Sequence, residues 1–280
     1  MKTFSTSKEL GDYISEQKKD GLTIGFVPTM GALHKGHLSL VQYSKQNCDV
    51  TVVSIFVNPT QFNDKGDLER YPRMPELDAK LLDDAGCDIL FLPAVQEIYP
   101  EPDTRVFDFG QLDKVMEGAH RPGHFNGVAQ VVSRLFDIVK PYRAFFGLKD
   151  FQQLAIVREM VRQLKFDIEI VAAPIVRDSD GLALSSRNML LNDVQRKSAP
   201  LIAKTLFEAK EKANKIPVAY LKEWVINSIN KDAELKVEYF DIVNAETLQS
   251  VNSWGDANEV FACIAVQVGK IRLIDNLRLV

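Results

Sequence analysis

The feature that most constrains this chain is a short apolar stretch that runs through a glycine-containing turn into an amphipathic pattern. Residues 23–27 (T-I-G-F-V) are apolar and β-favouring, as expected of a buried parallel strand. Residues 28–37 form the turn, and apolar residues then recur at helical spacing from Leu38 onward. Open α/β sheets bind ligands where a strand turns into a helix. The sequence therefore predicts an α/β fold with a ligand site at residues 28–37.

Two histidines and two glycines give this turn its chemical character. Gly31 and Gly36 remove side-chain bulk, so that a phosphate could approach the backbone N–H groups and the positive helix end. His34 and His37 are three residues apart, which places both imidazoles on one side of a first helical turn. Two solvated histidines at an ordinary helix start are the alternative. Because strand, glycines and helix coincide, we favour a site that stabilises charge on a phosphoryl group.

The remaining pattern is typical of a Rossmann-like, doubly wound parallel sheet followed by a second, smaller α/β domain. Right-handed crossovers are expected between its strands. We predict a first helix at 8–19, strands at 49–57, 88–93, 143–146 and 167–171, a short edge strand at 105–109, and a surface loop at 67–78. The first domain would span 1–175 and the C-terminal cap 176–280. In the cap we expect helices at 193–214 and 217–229 and strands at 236–243, 260–268 and 271–277.

Composition limits the class of protein. With 280 residues and 46% hydrophobic residues the chain can bury a large core, and its net charge of −4 lacks the basic footprint of a nucleic-acid binder. Cys48, Cys87 and Cys263 have no disulfide-framework or zinc-site spacing, which indicates reduced thiols. No signal-peptide core or membrane-length apolar run is present. A cytoplasmic protein without nucleic-acid or membrane partners is expected.

Two further segments carry polar side chains suited to a small acid. Asn58 and Gln61 follow the second central strand, and their amides can bond hydroxyl and carboxylate groups, although an Asx-capped turn explains Asn58 equally well. Arg121 and His124 lie in a glycine-rich stretch before a long apolar helix, positioned to meet a carboxylate. A flexible connection is the alternative for that stretch.

Two more segments offer groups for a polyphosphate. Lys149 and Asp150 stand at a strand-to-helix turn, where the lysine can reach phosphate and the aspartate can also serve as an N-cap. Residues 176–188 leave the strand–helix alternation and carry Ser185, Ser186 and Arg187. A hinge that closes a phosphate site would have this composition, as would an ordinary polar linker.

Taken together, these segments resemble the pantoate–β-alanine ligase family, within the nucleotidyltransferase superfamily that carries the H-x-G-H motif. The resembling stretches are P-T-M-G-x-x-H-x-G-H, F-V-N-P-x-Q-F, R-P-G-H-F-x-G-V, F-G-x-K-D-x-Q-Q and V-R-x-x-D-G-L-A-x-S-S-R-N, in that order along nearly the whole chain. The resemblance implies ATP binding by Met30, Gly31, His34, Gly36, His37, Gly147, Leu148, Lys149, Asp150, Val176, Leu184, Ser185, Ser186 and Arg187. It implies pantoate and β-alanine binding by Gln61, Gln153, Asn58, Arg121 and His124.

The family resemblance also implies a reaction. ATP and (R)-pantoate would give pantoyl adenylate and pyrophosphate, and β-alanine would then displace AMP to form pantothenate. His34, His37, Lys149 and Arg187 would be the catalytic residues. Magnesium is expected with ATP. Glu76 and Asp78 are candidate metal ligands, but a solvated helix start explains them as well, so the ligands stay open. A homodimer is expected from the resemblance.

Two other functions fit part of the pattern. A related H-x-G-H adenylyltransferase would act on another small acid or phosphate ester, without an amine step. A non-catalytic nucleotide-binding module is the second alternative, although such a module would not need histidines at its phosphate site.

Overall fold

The structure is a computed structural model that describes residues 1–62 and 65–280, and it divides into two compact units. Unit 1 comprises residues 1–109, 121–148 and 153–174. Unit 2 comprises residues 110–120, 149–152 and 175–280. Two segments from earlier in the chain therefore pack with the C-terminal part.

Unit 1 is built on a six-stranded sheet in which every described pairing is parallel. Its strands are β1 (Lys2–Phe4), β2 (Ile24–Thr29), β3 (Val50–Ile55), β4 (Ile89–Phe91), β5 (Arg143–Gly147) and β6 (Glu169–Ala173), in the order β1-β4-β3-β2-β5-β6. Its helices are α1 (Ser7–Lys19), α2 (Lys35–Asn47), α3 (Lys65–Arg70), α4 (Pro75–Asp84), α5 (Val95–Ile98), α7 (His124–Val139) and most of α8 (Phe151–Leu164), with α6 (Met116–His120) assigned to unit 2.

The strand order creates a switch point between β2 and β5. From β2 the chain moves outward through β3 and β4, whereas from β5 it moves in the opposite direction to β6. The carboxyl ends of neighbouring strands on either side of such a reversal leave a crevice in which α/β proteins bind ligands. The turn that carries His34 and His37 follows β2, so the predicted doubly wound sheet is confirmed with that turn at its switch point.

The core of unit 1 explains why the central strands are almost continuously apolar. Val27, Val53, Leu90 and Phe145 lie in one buried cluster with side chains of α2 and α4. Every residue of β3 is buried, as expected for a parallel strand covered by helices on both faces.

Two predictions for unit 1 are wrong, and one strand was not predicted. The N-terminal residues were not assigned to a strand, yet β1 pairs with β4 through Lys2, Thr3 and Phe4. Residues 67–78, expected to be a loop, contain parts of α3 and α4. Residues 105–109, expected to form an edge strand, have no strand pairing.

Side chains of α7 take the place of a neighbouring strand for this last segment. Asn126 accepts the Phe107 N–H at 2.9 Å and donates to the Arg105 carbonyl at 3.2 Å. Gln130 donates to the carbonyls of Asp103 and Arg105 at 3.0 and 2.8 Å. The alternation of residues 105–109 predicted a strand, but the backbone groups of this segment bind side chains of a helix instead of a neighbouring strand.

Asp103 fixes the start of the same segment. Its side chain is 2% exposed and accepts hydrogen bonds from Arg105 Nη2 at 2.6 Å and Arg134 Nε at 2.7 Å. The Arg105 hydrogen bonds hold the pKa of Asp103 well below its ordinary value, against the opposing effect of burial, and Arg134 adds to the lowering.

Asp103→Asn should lower the free energy of unfolding by roughly 1.5–3 kcal/mol at pH 7, the usual contribution of hydrogen bonds to a charged group. The folded-state pKa is depressed, so this stabilisation is complete above the unfolded pKa of about 3.9 and is lost as pH falls towards the folded value. Urea unfolding should therefore give equal differences at pH 7 and pH 5 and a smaller one at pH 3. Asp12→Asn, which breaks an exposed pair with Lys8, is the control and should change little. A difference that is unchanged at pH 3 would contradict this account.

Unit 2 carries a three-stranded antiparallel sheet in the order β7-β8-β9. The strands are β7 (Leu235–Asn244), β8 (Val260–Val268) and β9 (Ile271–Arg278), and the helices are α6, α9 (Asp193–Ser198), α10 (Pro200–Lys212) and α11 (Val218–Ile229). The three predicted strands and the second helix are confirmed. The helix predicted at 193–214 is two helices, because Pro200 lacks the N–H that would continue the first. Leu206, Leu221 and Ile264 belong to the cluster of buried residues between helices and sheet.

Cys48, Cys87 and Cys263 are free thiols, and burial raises the pKa of Cys87 to about 12. Over residues 1–62 and 65–280, no helix combines the length and apolar character needed to cross a membrane.

Candidate active site

The turn after β2 is held in an unusual backbone path by contacts to β3 and α4. Thr29 donates its hydroxyl to the Ser54 carbonyl at 2.8 Å and accepts the Gly31 N–H at 3.2 Å. Gly31 has φ of 79°, and a Cβ there would lie 2.9 Å from Asp78 Oδ2 and from Ile55 Cγ2. Only glycine fits this position, because it needs both a left-handed backbone and a side without bulk.

Asp78, considered above as a metal ligand, braces this turn from α4. Its carboxylate is 1% exposed and accepts the N–H groups of Ala32 at 2.8 Å and Leu33 at 2.7 Å. Ala32 has φ of 49°, so the carboxylate stabilises a backbone conformation that a non-glycine residue seldom adopts. The sequence contained no signal for this role, because 45 residues separate Asp78 from Leu33.

His34 and His37 form a reciprocal cap at the start of α2. The Nδ1 atom of His34 accepts the Gly36 N–H at 3.1 Å, and Nδ1 of His37 faces the His34 N–H at 3.4 Å. The ring centroids are 4.1 Å apart. Because each Nδ1 is an acceptor, a neutral ring carries its proton on Nε2, which makes Nε2 the donor atom of both imidazoles. The arrangement can present two N–H donors beside a positive helix end.

Four residues from three separate motifs meet around Gln61. Gln61 follows β3 in a 3₁₀ turn, Pro59–Gln61, and is buried. Its Nε2 contacts the Met30 sulfur at 3.0 Å, which connects it to the turn after β2. Its carbonyl accepts from His124 Nδ1 at 2.8 Å and from Arg121 Nη2 at 3.5 Å. Arg121 Nη1 also lies 3.2 Å from His124 Nε2, so His124 is oriented by hydrogen bonds at both ring nitrogens.

Asn58 orients Gln61 through side-chain hydrogen bonds. It is buried, and its Nδ2 donates to Gln61 Oε1 and to the Gly127 carbonyl, each at 3.1 Å. Its Oδ1 accepts from the Tyr99 hydroxyl at 2.9 Å. Asn58 thus sets the rotamer of Gln61, and it also holds α7 against the 3₁₀ turn.

Gly127 is a residue of this site to which the sequence reasoning gave no role. A Cβ at Gly127 would lie 2.5 Å from the Thr60 carbonyl oxygen and 3.0 Å from Gln61 Cα. The backbone of α7 therefore packs directly on the turn that carries Gln61. The available signal was the second glycine of the R-P-G-H-F-x-G-V stretch, inside an otherwise regular apolar helix.

We expect Gly127→Ala to destabilise the protein by roughly 1–3 kcal/mol, because the methyl group overlaps backbone atoms that cannot rotate away. Hydrogen–deuterium exchange of the amides of residues 60–62 should accelerate. The matched control is Gly11→Ala in α1, where a Cβ meets nothing within 4 Å. That control should be stabilising by about 0.5–1 kcal/mol, the usual gain for replacing a helical glycine by alanine. Unchanged exchange at residues 60–62 in Gly127→Ala would show that α7 does not set the position of Gln61.

In unit 2, Lys149 and Asp150 lie in a 3₁₀ turn, Leu148–Asp150, that leads into α8. The side chain of Lys149 is 19% exposed, and its Nζ lies 3.9 Å from Asp150 Oδ1. Its carbonyl accepts from Asn276 Nδ2 on β9 at 2.9 Å. The backbone of the lysine is therefore fixed to β9, and its ammonium group lies beside the Asp150 carboxylate.

Residues 176–188 form an ordered turn rather than a featureless linker. Arg177 and Ala183 make an antiparallel bridge, and the Leu184 N–H donates to the Val176 carbonyl at 3.0 Å. Ser185 then caps the 3₁₀ helix Ser186–Leu190 by accepting the Arg187 N–H at 3.3 Å. This brings Val176, Leu184, Ser185 and Arg187 into one short structure.

The structure thus gathers the predicted residues into two groups. Within unit 1, contacts join Met30, Asn58, Gln61, Arg121 and His124, and the turn that contains Met30 continues through Gly31 to His34, Gly36 and His37. Gly147 ends β5, and Gln153 lies in the first turn of α8. The residues predicted in unit 2 are Lys149, Asp150, Val176, Leu184, Ser185, Ser186 and Arg187. In the part of the chain that the structure describes, no three His, Cys, Asp or Glu side chains are grouped as a metal site would require.

Comparison with known proteins gives a consistent result along the whole chain. The family model described as pantoate-beta-alanine ligase matches residues 2–278. Pantothenate synthetases of Porphyromonas gingivalis and Bacteroides fragilis are 51% and 54% identical over 278 residues, covering 99% of each chain.

Solved structures agree with this result. Pantothenate synthetase from Thermus thermophilus superimposes with a TM-score of 0.93 at 45% identity, over 100% of this chain and 99% of the other. Pantoate-beta-alanine ligase from Francisella tularensis, complexed with beta-gamma ATP and beta-alanine, gives 0.84 at 35% identity over 99% and 97%. The motifs, the fold and these full-length matches show that the chain belongs to the pantoate–beta-alanine ligase family.

Proposed function

We propose that this chain is an ATP-dependent ligase that condenses (R)-pantoate with β-alanine to give pantothenate, AMP and pyrophosphate. The observation that carries the proposal is the contact of Gln61 Nε2 with Met30 Sδ at 3.0 Å. It joins a polar group suited to a hydroxy acid to the turn that carries His34 and His37. The Francisella relative, complexed with an ATP form and β-alanine, supports the choice of substrates.

The first step of the proposed reaction is adenylation. A carboxylate oxygen of pantoate attacks the α-phosphorus of ATP, and the bond to the β-phosphate oxygen breaks to release pyrophosphate. The Nε2–H groups of His34 and His37 would stabilise the negative charge that builds on the α-phosphate oxygens. Gln61 and Gln153 would orient pantoate, with Asn58 holding Gln61 in place. Pantoyl adenylate is the product.

The second step is amide formation. The neutral amine of β-alanine attacks the acyl carbon of the adenylate, AMP leaves with the electrons of the C–O bond, and the amine loses a proton. Arg121 and His124 would interact with the carboxylate of β-alanine or pantoate as cationic and polar partners. Lys149, Ser186 and Arg187 would bind the phosphates, and Gly147, Leu148, Asp150, Val176, Leu184 and Ser185 would contribute to nucleotide binding.

Magnesium accompanies ATP in this proposal, but the described side chains do not form a site for it. Asp78 uses both carboxylate oxygens to accept backbone N–H groups. Glu76, the other candidate, is exposed on the first turn of α4. Phosphate oxygens of ATP would supply ligands to the ion, as they often do for Mg²⁺, and we assign no step to it.

The experiment that tests the function measures two reactions. With ATP and pantoate alone, labelled pyrophosphate should exchange into ATP, because adenylation needs no amine. Release of free AMP should then require pantoate and β-alanine together. AMP release with pantoate replaced by an unrelated acid or a phosphate ester would indicate a related adenylyltransferase. ATP binding without either reaction would indicate a non-catalytic module.

We also propose that residues 176–188 act as a hinge, with 1–175 the nucleotide- and pantoate-binding domain and 176–280 a cap. Arg187→Ala should slow pyrophosphate exchange by ~10-fold or more while pantoate affinity stays unchanged, because the phosphates lose a cation and pantoate contacts other residues. Rapid-quench measurements with saturating pantoate give the rate, and hydrogen exchange across 176–188 should slow when ATP binds. A normal rate together with unaltered exchange would make this segment a simple connection.

We also propose that the protein is a homodimer with a cytoplasmic location.

A further inference from the structure

Two adjacent residues of β9 bind the two segments of unit 2 that carry the predicted phosphate-binding residues, 149–152 and 176–188. Asn276 is 2% exposed and donates from Nδ2 to the Lys149 carbonyl at 2.9 Å. Asp275 is 4% exposed and binds Arg177 through two hydrogen bonds, of 2.6 Å to Nη1 and 2.9 Å to Nη2. Neighbouring side chains of a strand point to opposite faces of the sheet, so each of these two residues can bind a different segment.

Arg177 connects β9 to the turn that precedes Ser185. Its Nη1 also donates to the Gly181 carbonyl at 3.1 Å, and its Nη2 to the Asn276 carbonyl at 3.2 Å. The guanidinium therefore ties the tip of the 178–181 turn to β9. A planar guanidinium satisfies these acceptors in a fixed geometry that a lysine cannot reproduce.

The segment 149–152 is attached to unit 2 at further points. Phe151 stacks on Phe261 of β8, with ring centroids 4.3 Å apart. Gln152 is buried, accepts the Glu117 N–H at 2.9 Å and donates to the carbonyls of Leu112 and Val115. Burial raises the pKa of Asp275, whereas the charges of Arg177 and, less strongly, Lys149 lower it.

We propose that Asp275 and Asn276 are positioning residues for adenylation. Together they set the distance between the Lys149 ammonium and residues 185–187, the two groups that bind the triphosphate. The inference rests on the proposed function, in which Lys149, Ser186 and Arg187 bind ATP. Neither Asp275 nor Asn276 touches substrate in this scheme. Their effect arises because a phosphate-binding cation that is displaced by about 1 Å loses much of its value in the transition state.

The first test changes the donor of Asn276. Asn276→Asp keeps the shape but removes the N–H that Lys149 accepts, and Asn276→Ala removes the whole group. Both should lower the rate of pyrophosphate exchange by roughly 10–10²-fold, as expected for a misplaced catalytic group, with the affinity for pantoate unchanged. Rates are compared at a temperature where every variant is folded, as judged by circular dichroism.

The control separates positioning from loss of stability. Val225→Ala truncates a fully buried side chain of α11, in the cluster between the helices and the sheet of the same unit, and removes no bond of Asp275 or Asn276. We expect it to lower the unfolding midpoint yet keep normal exchange. A second test uses Arg177→Lys, Asp275→Asn and the double variant. If the two residues act as one anchor, the double variant should be no slower than the slower single variant.

The direct readout is the reactivity of Lys149. Trace acetylation with acetic anhydride, followed by mass spectrometry, should show that ATP protects Lys149 strongly in the wild-type protein and weakly in Asn276→Ala. Absence of protection in the wild type would overturn the assigned role of Lys149 and with it the base of this inference. Equal protection and equal exchange in the Asn276 variants would overturn the positioning role alone and leave the proposed function intact.

Discussion

Replacing His37 with alanine should lower the rate of adenylate formation by ~10²–10³-fold, the usual effect of removing one donor that acts on a developing charge. The structure adds a complication, because Nδ1 of His37 also faces the His34 N–H in the reciprocal cap. Part of any loss could therefore arise from a weakened helix start, at a cost of about 0.5–2 kcal/mol in stability.

Two further substitutions separate these effects. His37→Asn places an oxygen close to the position of Nδ1, which preserves the acceptor for the cap but removes the Nε2 donor. His37→Gln places an amide N–H close to Nε2. We expect His37→Asn to be as slow as His37→Ala while retaining more stability, and His37→Gln to recover part of the rate. Single-turnover adenylation measured by rapid quench gives the rates. Near-normal adenylation in His37→Asn would remove the Nε2 donor from the mechanism.

Breaking the buried charge network of unit 2 should have the largest effect on stability. Glu117 on α6 is 7% exposed and receives two hydrogen bonds from Arg272 on β9, each of 2.7 Å, and a third of 2.7 Å from the Tyr239 hydroxyl. Glu238 also binds Arg272, with Oε2 2.6 Å from Nη2. Burial, followed by the charge of Glu117, raises the pKa of Tyr239 well above its ordinary value, which keeps the hydroxyl protonated as a donor.

Arg272→Met should therefore lower the free energy of unfolding by roughly 3–5 kcal/mol, because it leaves a buried carboxylate without its cation. Both tryptophans, Trp224 and Trp254, are in unit 2, so urea unfolding followed by tryptophan fluorescence reports on this unit. The matched control on the same strand is Arg278→Met, which breaks an exposed pair with Glu259 and should cost about 0–1 kcal/mol.

The double variant Arg272→Met with Glu117→Gln should be more stable than Arg272→Met alone, because the remaining buried group is then uncharged. A loss in Arg272→Met no larger than that in Arg278→Met would contradict a dominant role for this network. The same network joins α6 to the C-terminal sheet, which accounts for the assignment of residues 110–120 to unit 2.

The sequence by itself determined the elements that depend on local periodicity and on backbone constraints. The apolar runs of β2, β3 and β5 predicted a covered parallel sheet, and strand patterns late in the sequence predicted β7, β8 and β9. The turn at residues 28–37 was recognised because glycines, histidines and a helix start fall together within ten positions. Residue type singled out Gln61, Arg121 and His124 and the family resemblance implied substrates for them, but their contacts with one another in unit 1 could not have been derived from their spacing.

Tertiary structure decided the partners of these elements, because a hydrogen bond between residues far apart in sequence leaves no local pattern. Asp78 had the sequence context of a solvated helix start, yet its carboxylate binds the backbone at Ala32 and Leu33. Residues 105–109 alternated like a strand, but the amides of Asn126 and Gln130 took the hydrogen bonds that a strand would have received. Lys149 comes soon after β5 of unit 1, and only the bond from Asn276, 127 residues later, shows that it is anchored to the C-terminal sheet.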